Sequence, residues 1–425
     1  MLTKLQRRLQ QSDLAFGIWT GLAAFCAYFC MYMYRKPYTA GTYEGMELWG
    51  IDYKVILVIA QVIGYALSKF IGIKVIAELK HGRRLALFLV FISVAWLALV
   101  GFAFTPMRWG PLWLFINGLP LGMIWGILFT YCEGRKLTEV ITVLIACNFI
   151  ITSGIAKTLG RWILGLGYSE QMMPMIAGLL VVPLFLISLW MLCYIPPPSQ
   201  QEVALKSPRP AMDGQAKQQF LQQYRLPLVL FVLIYLVLTI VRDIRDNFAV
   251  EIWTGLGYGE SPEIFSTTEL PVTLVILMSL GLLYRIKDNQ QALRTNVLIC
   301  LAGIALLLLT TILHQAGQLS AVIWMVISGI GLFLPYILFN GIIFDRFIAS
   351  YRISGNVGFI MYIADAFGYL GSIVIMLFKN FGNSELVWLE FYTYLCLGGG
   401  VLGLLLVLVL LWYVRQSMLH RISTS

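Results

Sequence analysis

Two short sets of side chains stand out in an otherwise apolar sequence. Tyr28, Tyr32 and Arg35 are spaced by four and then three residues, and Tyr235, Thr239 and Arg242 repeat that spacing in the second half. On a helix these intervals align two hydroxyl-bearing side chains and a guanidinium along one face. A guanidinium presents planar, permanently charged, bidentate donors, which suit a carboxylate or a phosphate. The chemistry implied is anion binding, not bond making.

Other ionisable residues interrupt apolar runs, where each costs about 2.5–3.5 kcal/mol unless it has a partner or a wet cavity. Lys69 follows Gln61 and Tyr65 at intervals of four, near the middle of a span. Glu269 follows Ser266-Thr267-Thr268, and Asp365 stands between Tyr362 and Tyr369. Both carboxylates read either as ion-pair partners of the arginines or as proton carriers. Asn148, Thr152 and Lys157 share one run, Tyr336 and Asn340 another, and Trp125 lies in "GMIWG". Packing or interhelical hydrogen bonding is the simpler account of these.

The arginines also have plainer readings. "RDIRD" at 242–246 fits a helix end with an Arg242–Asp246 pair. Counted from Asp13, Arg35 lies about 33 Å along its helix, at the outer interface, and mid-depth requires tilt or continuation past Pro37.

The elements that must position these residues are long apolar runs. The chain has 425 residues, 59% hydrophobic and 12% charged, with a mean hydropathy of +0.82; soluble domains carry roughly 25% charged residues. Runs fall near 14–34, 53–73, 85–105, 111–131, 138–160, 174–194, 227–250, 263–284, 295–313, 320–344, 354–379 and 389–414. They lack period-2 alternation and exceed the ~10-residue strands of outer-membrane barrels. The pattern predicts an all-α membrane protein with twelve transmembrane helices. The first run has no small-residue cleavage site and reads as a retained helix.

Residues 195–226 open with Pro196-Pro197-Pro198 and are polar, as a linker would be. They divide a six-helix half, 1–194, from a second, 227–425, and repeated pseudo-symmetric halves are characteristic of transporters.

The net charge of +9 reports topology. Most of the 30 Lys and Arg fall in the termini, the linker and the loops that share their side, while the opposite loops hold Lys54, Arg108, Arg161 and Lys379 with several acids. By the positive-inside rule both termini are cytoplasmic, in a membrane of bacterial inner-membrane type. The expected partners are the lipid bilayer and a small anion, with no nucleic acid and a monomeric chain.

Seven cysteines, in or beside apolar runs without CxxC spacing, read as buried thiols, and neither metal nor cofactor is expected. There is no HExxH, P-loop or GxSxG pattern, and His81, His314 and His420 fall in loops or a tail, so an enzyme is not expected.

Several segments together carry a resemblance: "YRK" at 34–36, "YALSKFI" at 65–71, "GMIWG" at 122–126, "FGYLGS" at 367–372, Glu269, and the loop "ELKHGRR" at 78–84. With these the chain resembles the major facilitator superfamily, and within it the organophosphate:phosphate antiporters, which include glycerol-3-phosphate transporters. In that family one arginine from helix 1 and one from helix 7 bind the substrate phosphate. The resemblance implies Arg35 and Arg242, with Tyr28, Tyr32, Lys36, Tyr65, Lys69, Trp125, Glu269 and Tyr369 around or near the pathway. Arg245 is the alternative to Arg242.

Glu78, Arg83 and Arg84 would form a gating loop, with Glu78 in place of the usual Asp and Lys74 in place of the leading Gly. Glycerol-3-phosphate transporters have a helix 5 histidine in the site; here Asn148 falls at or near it, able to hydrogen-bond but not to carry charge.

The expected function is secondary active transport of a small organic or inorganic anion, phosphate-containing, by alternating access with exchange. Proton-coupled anion symport, and a transporter-fold sensor that binds without transporting, are the other readings.

Overall fold

The computed structural model of the chain describes residues 4–77, 81–132, 138–197, 218, 222–283, 285–351, 357–382 and 386–422. Within them the first half holds α1 (Lys4–Gln11), α2 (Asp13–Arg35), α3 (Tyr53–Ala77), α4 (Arg84–Phe104), α5 (Gly110–Cys132), α6 (Thr138–Gly165), α7 (Met173–Leu180) and α8 (Val182–Cys193). The second half holds α9 (Arg225–Asn247), α10 (Ala249–Gly255), α11 (Ile264–Leu283), α12 (Asn289–Gln315), α13 (Ala321–Ile337), α14 (Ile343–Tyr351), α15 (Val357–Gly382) and α16 (Trp388–Ile422). Ser12 starts α2 by accepting the Ala15 amide on its hydroxyl at 3.3 Å, which satisfies one of the free donors of the first turn.

Among the described residues nine helices are long and apolar enough to cross a membrane, and α7 with α8 makes a tenth. With α6 and α13 the order is six membrane helices and then six more. Large apolar side chains stay exposed along them, as Leu402, Leu405, Val409 and Trp412 do on α16. In a protein solvated by lipid such a stripe is the expected outer surface.

Two spans that read as continuous in the sequence are interrupted. The sixth bends by 45° between α7 and α8, where Pro183 supplies no amide to the preceding turn. The tenth passes from α13 to α14 through a π turn, Leu338–Ile342, which follows Pro335.

The chain folds as two compact units, one formed by Met1–Ser207 with Gly259–Thr267, the other by Pro208–Tyr258 with Thr268–Ser425. The segment 259–267 joins the first unit because α6 binds its backbone: Thr158 Oγ1 donates to the Pro262 carbonyl at 2.8 Å and Arg161 to that of Gly259 at 2.9 Å.

In the first unit α3 and α5 meet at glycines. A Cβ on Gly64 would lie 2.3 Å from the Phe115 carbonyl oxygen, and one on Gly118 would lie 2.4 Å from that of Gln61. Gly118 and Gly122 are four apart, the small-residue spacing that lets membrane helices approach closely.

Between α2 and α3 the chain forms a buried turn, Pro37–Ala40, and a hairpin of β1 (Glu47–Leu48) and β2 (Ile51–Asp52). The hairpin reverses through Trp49 and Gly50, both at positive φ. Glu170 fastens the connection by accepting the amides of Thr42 at 2.6 Å and Tyr43 at 3.0 Å. Lys54, which reads as an outer-loop cation in the sequence, instead lies buried in the first turn of α3 and donates to the Thr39 carbonyl at 3.0 Å.

In the second unit α9 approaches α15 at Gly368 and Gly371, where added Cβ atoms would lie 3.0 Å from Thr239 Oγ1 and 3.1 Å from Ile240. The thiols depart from the expected burial at Cys193, which is exposed, and Cys26, which is half-buried; Cys30, Cys300 and Cys396 are buried. An apolar thiol tolerates a lipid-facing position. The side chains of Cys132 and Cys147 lie outside the described residues.

Candidate functional site

In the first unit the Tyr28–Tyr32–Arg35 face is an aromatic and cationic stripe at the end of α2. The rings of Tyr28 and Tyr32 meet edge to face at 5.3 Å, and the Arg35 guanidinium lies 5.7 Å from the Tyr32 ring and 3.7 Å from that of Tyr65 on α3. The Lys69 ammonium lies 5.5 Å from the same Tyr65 ring. Tyr65 is therefore a shared cation–π platform, and the negative C-terminal end of the α2 dipole adds to the attraction for Arg35.

Arg35 sits at the helix end, as the residue count predicts, but protein covers it: it is 8% exposed and Lys36 6%. The buried turn Pro37–Ala40 continues past it, so a terminal position is not an open one.

The last carbonyls of a helix have no intrahelical donor, and two amide side chains supply those of α2. Gln61 Nε2 donates to the Arg35 carbonyl at 2.9 Å and to Asn117 Oδ1 at 2.8 Å; Asn117 Nδ2 donates to the Tyr34 carbonyl at 3.1 Å and to that of Ala95 at 2.9 Å. Asn117 fixes the backbone that carries Arg35, and sequence reading missed it. Its signal was a lone amide in an apolar span beside Gly118.

In the second unit Arg242 is held by Asp243 and Tyr336. Its Nε donates to Asp243 Oδ1 at 3.0 Å, a guanidinium N–H donates to the Tyr336 hydroxyl, and the guanidinium carbon lies 4.3 Å from the Tyr336 ring. Ser372 donates to the other Asp243 oxygen at 2.7 Å, and the Tyr235 hydroxyl to Asp365 at 2.6 Å. Tyr336 thus takes the place beside Arg242 that Tyr65 takes beside Arg35, but from α13, the fourth membrane helix of its half, where Tyr65 comes from the second. Thr239 turns its hydroxyl back onto the Tyr235 carbonyl at 2.7 Å, so it offers less to a ligand than its place in the stripe suggests.

Arg245 has different surroundings. It is 2% exposed, pairs with Glu269 at 3.0 Å and reaches the Tyr392 hydroxyl at 3.4 Å. The Arg242 side chain is 15% exposed. Both arginines are paired with a carboxylate, and Arg242 is the more accessible of the two.

The remaining candidates have local partners. Asn148 donates to the Phe25 carbonyl at 2.7 Å and accepts from Thr152, tying α6 to α2, and Lys157 donates to Ser153 Oγ at 2.8 Å. Trp125 stacks on Phe129, with centroids 5.0 Å apart. Tyr369 is buried on α15.

Arg84 caps α5 by donating to the Thr130 carbonyl at 3.1 Å, and Arg83 is exposed. Glu78 and the side chains of Lys74, Asn340 and Tyr362 lie outside the described residues. Among the described residues no cluster of three or more His, Cys, Asp or Glu is placed to hold a metal ion.

Two six-helix sets of this kind define the major facilitator fold, and comparison with solved structures agrees. The chain is similar to the nucleoside transporter NupG (15% identity, TM-score 0.63, covering 96% of this chain and 99% of that one). It is similar to a D-xylose-proton symporter (14%, 0.64, 93% and 96%) and to a POT family transporter in complex with 5-aminolevulinic acid (11%, 0.58, 93% and 96%). At these identities the likeness is one of fold.

The chain belongs to the DUF5690 family, described as a family of unknown function, whose model matches residues 37–417. No curated protein matches it.

Proposed function

We propose that the chain is a secondary transporter of a small anion, phosphate-containing, working by alternating access with exchange. The observation that carries this reading is that each unit holds a guanidinium against a tyrosine face near the end of the first helix of its half: Arg35 at 3.7 Å from Tyr65 and Arg242 at 4.3 Å from Tyr336. A charge inside a membrane protein is costly unless function or a partner retains it. A phosphate monoester, with about −1.5 to −2 charges at neutral pH, is well matched to two such cations.

Arg35 and Arg242 engage the anion. Tyr28, Tyr32, Lys36, Tyr65, Lys69, Trp125, Asn148 and Tyr369 line or support the pathway, Glu269 and Asp365 supply ion-pair or coupling charges, and Glu78, Arg83 and Arg84 gate the cytoplasmic side. The distribution of basic residues supports cytoplasmic termini in a bacterial inner membrane. The similar nucleoside transporter and D-xylose-proton symporter supply no anion precedent, so the substrate class rests on the arginines.

The test is uptake by proteoliposomes loaded with phosphate, given labelled phosphate, phosphate esters, carboxylates and a neutral sugar. Saturable uptake of phosphate or its esters that requires internal phosphate is expected. Preferential uptake of the sugar would overturn the anion assignment, and anion binding with no flux would assign a sensor.

A further inference from the structure

Lys157 stands in the apolar span of α6, and the transport reading gives it no task. It is buried, and its ammonium donates at 2.8 Å to the hydroxyl of Ser153, which is buried as well. A lysine in a span ordinarily turns its ammonium toward the nearer interface and leaves only its stem in the apolar layer. That interface lies at the end of α6, Gly165, eight residues on or about 12 Å away. Lys157 turns the other way, one helical turn deeper, so its charge is directed into the protein.

Two contacts fix the register of α6 against α2. Asn148 Nδ2 donates to the Phe25 carbonyl, and a Cβ on Gly160 would lie 3.2 Å from the Pro37 carbonyl oxygen and 2.6 Å from the Ala40 Cβ. Both the Asn148–Phe25 and the Gly160–Pro37 pairs are offset by 123 residues, so the two helices run side by side in the same direction. That offset sets Lys157 level with Tyr34 and Ser153 level with Cys30. The ammonium therefore lies at the depth of Tyr32, and the Arg35 guanidinium lies 5.7 Å from the Tyr32 ring. Lys157 and Arg35 place their charges in one layer, on helices packed against each other.

The side of α6 also fits. At about 100° per residue, Lys157 falls between Gly160, which faces the Pro37–Ala40 turn, and Arg161, which holds the Gly259 carbonyl. The exposed Trp162 lies about 140° away around the helix. Lys157 is thus on the side of α6 that meets protein, away from the lipid face.

We propose that Lys157 is a further cation of the anion site, meeting the anion held at Arg35 and favouring dianions over monoanions. The proposal rests on the anion-transporter reading and adds a specificity to it. Coulomb energy scales with the charge of the ligand, so one added cation counts twice as much for a dianion. An ammonium is a compact point charge with three donors on a flexible stem, able to exchange the Ser153 hydroxyl for a ligand oxygen while the helix stays in place.

The experiment is the affinity of the full chain in lipid nanodiscs at pH 8 for inorganic phosphate, there largely a dianion, and for dimethyl phosphate, a monoanion. It is measured in wild type, Lys157→Met and Lys157→Gln, with the melting temperature of each. Lys157→Met exchanges a buried charge for an apolar chain of similar length, and Lys157→Gln, which keeps a hydrogen-bond donor, serves if the first folds poorly. Each is expected to bind phosphate about tenfold more weakly, the scale of one charge-assisted hydrogen bond. Dimethyl phosphate should weaken only about threefold, which is half that free energy.

Unchanged phosphate affinity in either folded variant overturns the role of Lys157 and leaves the anion reading standing. Loss by the same factor for both anions makes Lys157 a packing residue and overturns it too, as does failure of both variants to fold. Wild type that binds neither anion overturns the anion reading itself, and the role of Lys157 with it.

Discussion

Arg242 and Arg245 lie one turn apart on α9, and their partners differ. Arg245 is buried against Glu269, whose side chain keeps 17% exposure, so removing the arginine leaves a partly solvated charge uncompensated, at a cost of about 1–3 kcal/mol. Arg245→Met is therefore expected to lower the melting temperature, and Arg245→Met with Glu269→Gln to recover much of the loss; equal melting temperatures in wild type and Arg245→Met would contradict the pairing. Arg242→Lys should leave melting close to wild type while weakening phosphate binding by tenfold or more, because an ammonium cannot reproduce the planar fork that meets Asp243 and Tyr336 together (roughly the worth of one charge-assisted bond). The sequence made the two arginines hard to separate because "RDIRD" offers an acid at either side. Only their side-chain partners, Glu269 for Arg245 and Asp243 with Tyr336 for Arg242, distinguish them.

At the scale of elements, the long helices were legible because every span must satisfy its own backbone and exclude charge, and hydropathy registers both demands. The bend at Val181 and the π turn after Pro335 were not, because apolar composition is continuous across them and only backbone hydrogen bonding changes. The close contact of α3 with α5 was written as Gly118 and Gly122 but competed with many other glycines. Its consequence is specific: a Cβ at Gly118 would meet the Gln61 carbonyl at 2.4 Å and the Tyr65 amide at 3.0 Å, both backbone atoms that cannot swing aside. Gly118→Ala is expected to push α3 away and destabilise the protein by about 1–3 kcal/mol, and to weaken phosphate binding because Gln61 and Tyr65 support Arg35. Gln61→Leu should cost a similar amount, about 1–3 kcal/mol, by stranding the Asn117 and Arg35 acceptors. Thermal unfolding and binding titrations check both, and unchanged binding in the two variants would separate Arg35 from this scaffold.

For the whole molecule, the uneven distribution of Lys and Arg predicts cytoplasmic termini, an expectation that labelling tests. A cysteine at Glu44, exposed before the hairpin, should react with an impermeant thiol reagent added outside intact cells, above the background from the native cysteines. One at Arg83, exposed in the turn before α4, should react only after permeabilisation. The reverse pattern would invert the chain in the membrane.

The central claim is that Arg35 and Arg242 serve one translocated anion, and phosphate exchange in reconstituted vesicles tests it most directly. The measurement is the initial rate of labelled phosphate entry into phosphate-loaded proteoliposomes for wild type, Arg35→Lys, Arg242→Lys and the double variant. The account predicts robust exchange in wild type, a loss of at least tenfold in each single variant, and no further loss of comparable size in the double. Wild-type rates in both single variants, or exchange that falls independently and multiplicatively in the double, would contradict a shared anion.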